Sequence, residues 1–238
     1  MIVQACLNGA RAPEFHPRLP LTTEAIAADA ISCVKAGAAE LHIHPRGKDL
    51  RESLAAVDTT VGIVRAACPG TLIGVSTGAW IEDDIEKTRA RISSWSVLPD
   101  YASVNLSEED APDVMNMLRL KGVGIEAGLA TVADAERFVA LADHPKVFRI
   151  LIEIEEQELE AAVAVADGIA AVLSRAGATR SILLHGFDAT VWDFVRLARK
   201  RNWSARIGLE DSRDMPDRSL APDNAALVAE AVAIYRRG

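Results

Sequence analysis

Residues 23–45 read TEAIAADAISCVKAGAAELHIHP, and this stretch decides the fold. Thr23–Ala36 places apolar residues at i, i+3, i+4 and i+7, the spacing of a helix with one buried face. Thr22-Thr23-Glu24 offers an N-cap hydroxyl with a carboxylate in the first turn, and Gly37 closes the helix. Glu40–Pro45 then changes period from 3.6 to 2. Residues two apart on a strand point the same way, so His42 and His44 share one face while Leu41 and Ile43 pack outward under helices.

The same helix-then-strand unit recurs in both directions. Short apolar runs fall at Ile2–Asn8, Glu40–Pro45, Leu72–Gly78, Tyr101–Leu106, Gly122–Gly128, Val147–Ile154, Ser181–Gly186 and Ala205–Glu210. Helical periodicity returns between them, as at Ala56–Ala67 and Glu156–Ala176, and Thr131, Thr190 and Asp223 are placed to cap later helices. Strict alternation of strand and helix implies a parallel sheet, and eight units in 238 residues imply closure into a (β/α)8 TIM barrel, a single α/β domain over 1–238. The other arrangement, an open doubly wound sheet, needs a Gly-rich phosphate turn after its first strand. Asn8-Gly9-Ala10-Arg11 is not one. Gly9–Leu21, with Pro13, Pro17 and Pro20, and Ser212–Pro222 are the long irregular stretches; both follow strands and so lie over the C-terminal face, where barrel active sites are built.

Composition narrows the function classes. Half the residues are hydrophobic but only 5% are aromatic, so Val, Ile, Leu and Ala must fill the core. A net charge of −8 argues against a nucleic-acid footprint, while leaving room for an anionic ligand on a few local arginines. Cys6, Cys33 and Cys68 are odd in number and unpatterned, which fits reduced thiols in the cytoplasm better than disulfides. The N-terminus lacks the basic start and apolar run of a signal peptide, and no apolar run is long enough to cross a bilayer.

The chemistry concentrates at strand ends. His42 and His44, two of only five histidines, form half of a metal site at the end of the second strand, with neutral imidazole suiting Zn2+. Two histidines stacked in a polar barrel mouth without metal are the alternative. On the last strand Arg206, Gly208 and Glu210 share a face, so Glu210 reaches the layer of His44 if the barrel closes. Two histidines and one carboxylate leave a coordination position open for substrate, as a catalytic zinc requires. Glu210-Asp211 also reads simply as a pair of carboxylates at a helix N-terminus. Ser76 and Thr77, Ser103 and Asn105, Glu126, Glu153 and His185 add polar groups at five further strand ends, a convergence that packing alone does not explain.

These residues resemble one known family. Leu7-Asn8-Gly9-Ala10, Leu19-Pro20 with Thr22 and Glu24, Ala36-Gly37-Ala38, Leu41-His42-Ile43-His44 with Arg46, Ser76-Thr77-Gly78, Ser103-Val104-Asn105, and Arg206 through Asp211 match the β-keto acid cleavage enzymes in spacing and order, over nearly the whole chain. The resemblance implies a zinc-dependent (β/α)8 barrel that joins a β-keto acid with acetyl-CoA, giving acetoacetate and a new CoA thioester. By the same resemblance His42, His44 and Glu210 are the metal ligands, Asp211 the catalytic carboxylate and Arg206 its charged partner. Ser76 and Ser103 are substrate ligands, the family often having Thr at the second. The family's best-characterised member has Glu directly after the Asn-Gly-Ala-like stretch; here Arg11 stands there, and the role passes to Glu14, the nearest Glu. The chain is also shorter than is usual in the family.

For substrate, Arg11, Arg18 and Arg46 are candidates to pair with a distal carboxylate or with CoA phosphates. Trp80 offers an apolar wall, and His16 and His185 contacts to substrate oxygens. Expected partners are a small-molecule β-keto acid and acetyl-CoA, with neither nucleic acid nor membrane, in a homo-oligomer. A zinc hydrolase of the amidohydrolase kind would carry its HxH on the first strand with Lys and His at central strand ends, unlike this chain. A small-molecule-binding barrel without turnover is the non-enzymatic alternative, disfavoured by Arg206, Glu210 and Asp211 standing together.

Overall fold

Eight parallel strands pair in sequence order and close on themselves, the first strand bonding to both the second and the eighth. The computed structural model describes residues 1–237. Its strands are β1 (Val3–Cys6), β2 (Glu40–Ile43), β3 (Leu72–Ser76), β4 (Tyr101–Asn105), β5 (Gly124–Leu129), β6 (Arg149–Ile154), β7 (Ile182–Gly186) and β8 (Ser204–Ile207). The helices that follow them are α1 (Thr23–Ala36), α2 (Val57–Ala67), α3 (Ile85–Ser94) and α4 (Ala111–Leu120), then α5 (Val132–Ala140), α6 (Leu159–Arg175), α7 (Val191–Lys200) and α8 (Asn224–Arg236). The expected (β/α)8 barrel is therefore the fold. Among the described residues no helix is long and apolar enough to cross a membrane.

Local chemistry accounts for the element ends. The Thr22 hydroxyl accepts from the Ala25 N–H, and Gly37 ends α1 in the left-handed conformation at φ 111°. Thr131 and Asp134 form a reciprocal capping box on α5, and Asp223 caps α8 through the Ala226 N–H. Thr190 does not cap α7: its hydroxyl donates to the Phe187 carbonyl instead. β2 and β8 are shorter than their sequence pattern, stopping at Ile43 and Ile207. Pro45 has no N–H for the ladder, and the chain after Ile207 turns at Gly208, whose carbonyl accepts from the Asp211 and Ser212 N–H groups. His44 and Glu210 consequently sit on the rim just beyond the ladder.

The core lies between sheet and helices. Leu41, Ile43, Ile73, Val75, Ala102, Val104, Ile150 and Ile152 point outward and are almost fully buried. Each such aliphatic contributes about 1.5–3 kcal/mol by leaving water. The barrel interior is polar instead. Arg149 donates to Glu126 at 2.6 Å and also binds Glu40, with its guanidinium 4.8 Å over the Tyr101 ring. Gln4 donates to the Tyr101 hydroxyl at 2.8 Å, which donates to the Leu41 carbonyl at 2.9 Å. Glu126 is thus part of a charge-paired floor, below the mouth where its strand pattern placed it. The loop after β1 is tied to the loop after β8 by His16. Its Nδ1 accepts from the Arg18 N–H, which leaves Nε2 to donate to the Ala221 carbonyl at 2.9 Å.

Candidate active site

At the C-terminal end of the barrel lies a cavity of about 460 Å³, lined by His42, His44, Ser76, Ser103, Asn105, Glu153, Glu155, Arg206 and Glu210, with Ala10, Arg11, Trp80, Phe187 and Asp188 at its rim. The strand period delivers the two imidazoles: β2 carries His42 inward, paired with Gly74 one residue before the strand ends, and His44 follows two residues later. Their Nε2 atoms stand 3.1 Å apart. Glu210 completes the group, Oε2 4.0 Å from His42 Nε2 and Oε1 3.5 Å from His44 Nε2. One ligand atom from each of the three lies within 4.8 Å of the others.

This donor set fits a divalent metal. His44 Nδ1 donates to Glu52 Oε2 at 2.6 Å, fixing the ring so that Nε2 faces Glu210. The Asn8 side chain holds the His44 backbone from both sides, accepting from its N–H at 3.0 Å and donating to its carbonyl at 2.9 Å. Gly9, at φ +53°, lets Glu210 approach; a Cβ there would stand 2.4 Å from Glu210 Cγ. Buried Glu210 Oε2 has no hydrogen-bond partner. Burial holds His42 well below the ordinary imidazole value, leaving it a neutral ligand despite Glu210. Burial acts the same way on His44, yet the Glu210 and Glu52 carboxylates outweigh it and raise that pKa to about 10. A histidine held that strongly protonated marks a position that attracts a cation.

Arg206 and Asp211 sit beside this group. Arg206 Nη2 donates to Glu210 Oε1 at 2.5 Å and to Asp211 Oδ1 at 2.9 Å, and Nε reaches the same Oδ1 at 3.2 Å. Burial opposes the charge on Glu210, but Arg206 and then His44 hold its carboxyl well below the usual range. Asp211 is fully buried behind Arg206, and its Oδ2 has no hydrogen-bond partner among the described residues. His185 lies next to it, Nδ1 3.4 Å from Asp211 Oδ1 and Nε2 3.7 Å from Glu153 Oε2. His185 is itself buried and does not line the cavity.

The other expected site residues divide into two sets. Ser76, Ser103 and Asn105 line the cavity, and Ser76 Oγ accepts from the Gly78 N–H at 3.1 Å. Thr77 lies behind them and donates to the Ser103 carbonyl at 2.8 Å, which places it in the scaffold. Arg46 is turned away from the cavity: it donates to the Gly9, Arg11 and Leu50 carbonyls and so holds the rim loop in shape. Glu14 is exposed on the 3₁₀ turn Pro13–Phe15, outside the cavity. Arg11 is at the rim instead, donating to the Glu210 carbonyl at 2.9 Å and pairing with Asp188 at 3.0 Å. Glu52, Glu155, Phe187 and Asp188 escaped the sequence reading because they lie on loops, where no period marks direction. Only Asn8 carried a signal, as the polar residue ending a strand run.

Fold and site together define a class: a (β/α)8 barrel with a two-histidine, one-carboxylate cluster at the C-terminal end of its strands. The family model for beta-keto acid cleavage enzymes, BKACE, matches residues 1–237. The chain belongs to that family. The 3-keto-5-aminohexanoate cleavage enzyme of Acetoanaerobium sticklandii is 31% identical over 108 residues, which are 44% of this chain and 38% of that enzyme. ObcA in binary complex with oxaloacetate superposes with a TM-score of 0.75 at 17% identity, over 91% of this chain and 63% of that one. ObcA in ternary complex with a C4-CoA adduct and oxalate gives 0.76 at 16% identity, with the same shares covered. A type I 3-dehydroquinate dehydratase from Clostridium difficile gives 0.66 at 13% identity, over 99% of this chain and 91% of its own. At such identities the likeness is one of fold. This chain spans less than two thirds of ObcA's length.

Proposed function

We propose that this protein cleaves a β-keto acid in a zinc-dependent exchange with acetyl-CoA, R–CO–CH2–COO⁻ + CH3–CO–SCoA giving R–CO–SCoA + CH3–CO–CH2–COO⁻. The observation that carries the reading is the convergence of His42, His44 and Glu210 beside Arg206 at one end of the cavity. His42, His44 and Glu210 would hold the ion, which supplies Lewis-acid polarisation of the β-keto carbonyl. All three residues line the cavity, so an ion that they held would be open to the keto acid.

The remaining work falls to side chains. Asp211 is the base for the carbon acid, and its unpartnered Oδ2 is the atom that takes the proton while Arg206 occupies Oδ1. Arg206, held against both carboxylates, fixes Asp211 in place and presents a charge to anionic oxygen. Ser76, Ser103 and Asn105 supply hydrogen bonds to the substrate from β3 and β4. The mouth opens into a second hollow of about 800 Å³ that shares Ala10, Arg11 and Trp80 with the first and carries Arg51, which gives a CoA arm room and a cation. That ObcA was solved with oxaloacetate and with a C4-CoA adduct supports the substrate pair. The test is a panel of β-keto acids with acetyl-CoA, scored for acetoacetate. Its release, abolished in Asp211→Asn with zinc retained, is expected; silence across acidic, neutral and basic side chains contradicts the reading.

A further inference from the structure

We propose that Arg11 is a positioning residue for Glu210 and Asp211: its guanidinium grips their two backbone carbonyls from the rim and so sets where both carboxylates stand. The inference rests on the reading above, which gives Glu210 to the metal and Asp211 to the proton. It starts from an asymmetry in how that segment is held. The Glu210 and Asp211 N–H groups are anchored by the barrel itself, donating to the Cys6 carbonyl at 3.3 Å and to the Gly208 carbonyl at 2.9 Å. Their carbonyls are held by the rim loops instead. The Glu210 carbonyl accepts only from Arg11 Nε among the described residues, at 2.9 Å. The Asp211 carbonyl accepts from Arg11 Nη2 at 3.3 Å and from the Asp188 N–H at 2.8 Å.

The guanidinium is itself fixed before it reaches them. Arg46 Nη2 donates to the Gly9 and Arg11 carbonyls at 2.7 and 2.9 Å, which holds the backbone that Arg11 leaves. Arg11 Cζ lies 4.2 Å over the centre of the Phe15 ring, on the turn Pro13–Phe15. Asp188 closes the arrangement with Oδ1 3.0 Å from Arg11 Nη2. That residue sits at a left-handed φ of 44°, a strained conformation kept because its N–H meets Asp211 and its carboxylate meets Arg11. Loops after β1, β7 and β8 therefore converge on one side chain. The ion pair is half-exposed at Asp188 and contributes little. The two bonds to carbonyls are charge-assisted and directional, and they fix the segment that carries Glu210 and Asp211. Arginine suits this task because its planar fork spans successive acceptors, whereas lysine offers one compact charge. The sequence made Arg11 a candidate for a distal carboxylate or CoA phosphates; Nε and Nη2 are engaged by the protein instead.

The experiment measures zinc affinity by chelator competition, with kcat and KM for acetoacetate release, on the full chain and on Arg11→Ala and Arg11→Lys. Arg11→Ala is expected to lose about 10–100-fold in zinc affinity, the usual effect of removing a group that orients a ligand. Its kcat should fall by about tenfold or more while KM changes less than about threefold, since the groups displaced act on the reacting atoms. Guanidinium ion, added below denaturing concentration, should restore part of the zinc affinity of Arg11→Ala and none of that of Glu52→Gln. Arg11→Lys, which carries the test if Arg11→Ala does not fold, should stay weakened because one ammonium cannot meet both carbonyls. Asp188→Asn, which loses only the exposed ion pair, should change zinc affinity less than either. Zinc affinity and kcat unchanged in both Arg11 variants, or KM raised alone, overturns the proposal; the second result makes Arg11 a substrate contact. Zinc affinity lost in step with melting temperature and not restored by guanidinium also overturns it. Weakened zinc binding with no acetoacetate released even by the wild type keeps the positioning role and removes the cleavage reading. Acetoacetate released by a wild type whose Arg11 variants hold zinc equally tightly does the reverse.

Discussion

At the scale of single residues, the cluster depends on groups outside its own three side chains. Glu52 is the clearest: its Oε2 sets the tautomer of His44, and its Oε1 accepts from Trp80 Nε1 at 3.3 Å, linking the histidine–carboxylate cluster to the rim. Removing such an outer partner typically lowers metal affinity about 10–100-fold. Glu52→Gln is therefore expected to weaken zinc binding by that order in a chelator competition; an unchanged affinity would show that His44 needs no such support. This scale also shows what was legible beforehand. His42, His44 and Glu210 could be read because strands point alternate residues the same way. Glu52 could not, since it lies on an irregular loop between β2 and α2. Arg46 could not be placed for a related reason: a long side chain leaving a strand end can turn to the cavity or to the backbone behind it, and here it donates to three carbonyls.

At the scale of elements, α1 and α8 meet across Asp29 and Asn224. The Asn224 amide donates to Asp29 at 2.6 Å and to the Leu7 carbonyl at 2.8 Å, while its oxygen accepts from the Leu209 N–H at 2.6 Å. One side chain thus ties both barrel-closing segments to the helix layer. Burial pushes the Asp29 carboxyl up to about 6, against the help of the Asn224 hydrogen bond. Between the unfolded and folded values the native state holds a proton that the unfolded chain has lost. Stability from this group is therefore present in acid and falls as pH rises through about 6. Above that the buried charge costs about 2–3 kcal/mol, since a tenfold change in proton affinity is worth about 1.4 kcal/mol. Asp29→Asn keeps an acceptor for Asn224 and is expected to raise the melting temperature at pH 8 more than at pH 5. Equal changes at the two pH values would rule this out. Helix ends were the better-read part of the elements, because Thr22, Thr131 and Asp223 act locally on their own backbones. The ends of β1, β2, β3 and β8 were overrun by two or three residues, because the point where a parallel ladder gives out is set by the neighbouring strand.

At the scale of the molecule, the site exists only because the barrel closes. β8 must lie against β1 for Glu210 to meet His44, and Gly208 marks that seam: a Cβ there would fall 1.8 Å from the Cys6 carbonyl oxygen. No flexible side chain can yield to relieve that contact. Gly208→Ala is accordingly expected to cost about 3 kcal/mol or more in denaturant unfolding, at the upper end for overpacking; an unchanged midpoint would mean the seam is looser than drawn. Closure was readable from eight alternating units, whereas the polar interior was not, since Glu40, Glu126 and Arg149 are distant in sequence and meet only once the ring is complete. The central claim is that this closed ring assembles one zinc site from β2 and the chain beyond β8. Elemental analysis of the purified protein tests it most directly: about one zinc per chain is expected, falling to a small fraction in His44→Ala, which removes one of its three ligands. Zinc retained in full by His44→Ala, or absent from a wild-type chain dialysed against it, would contradict the account.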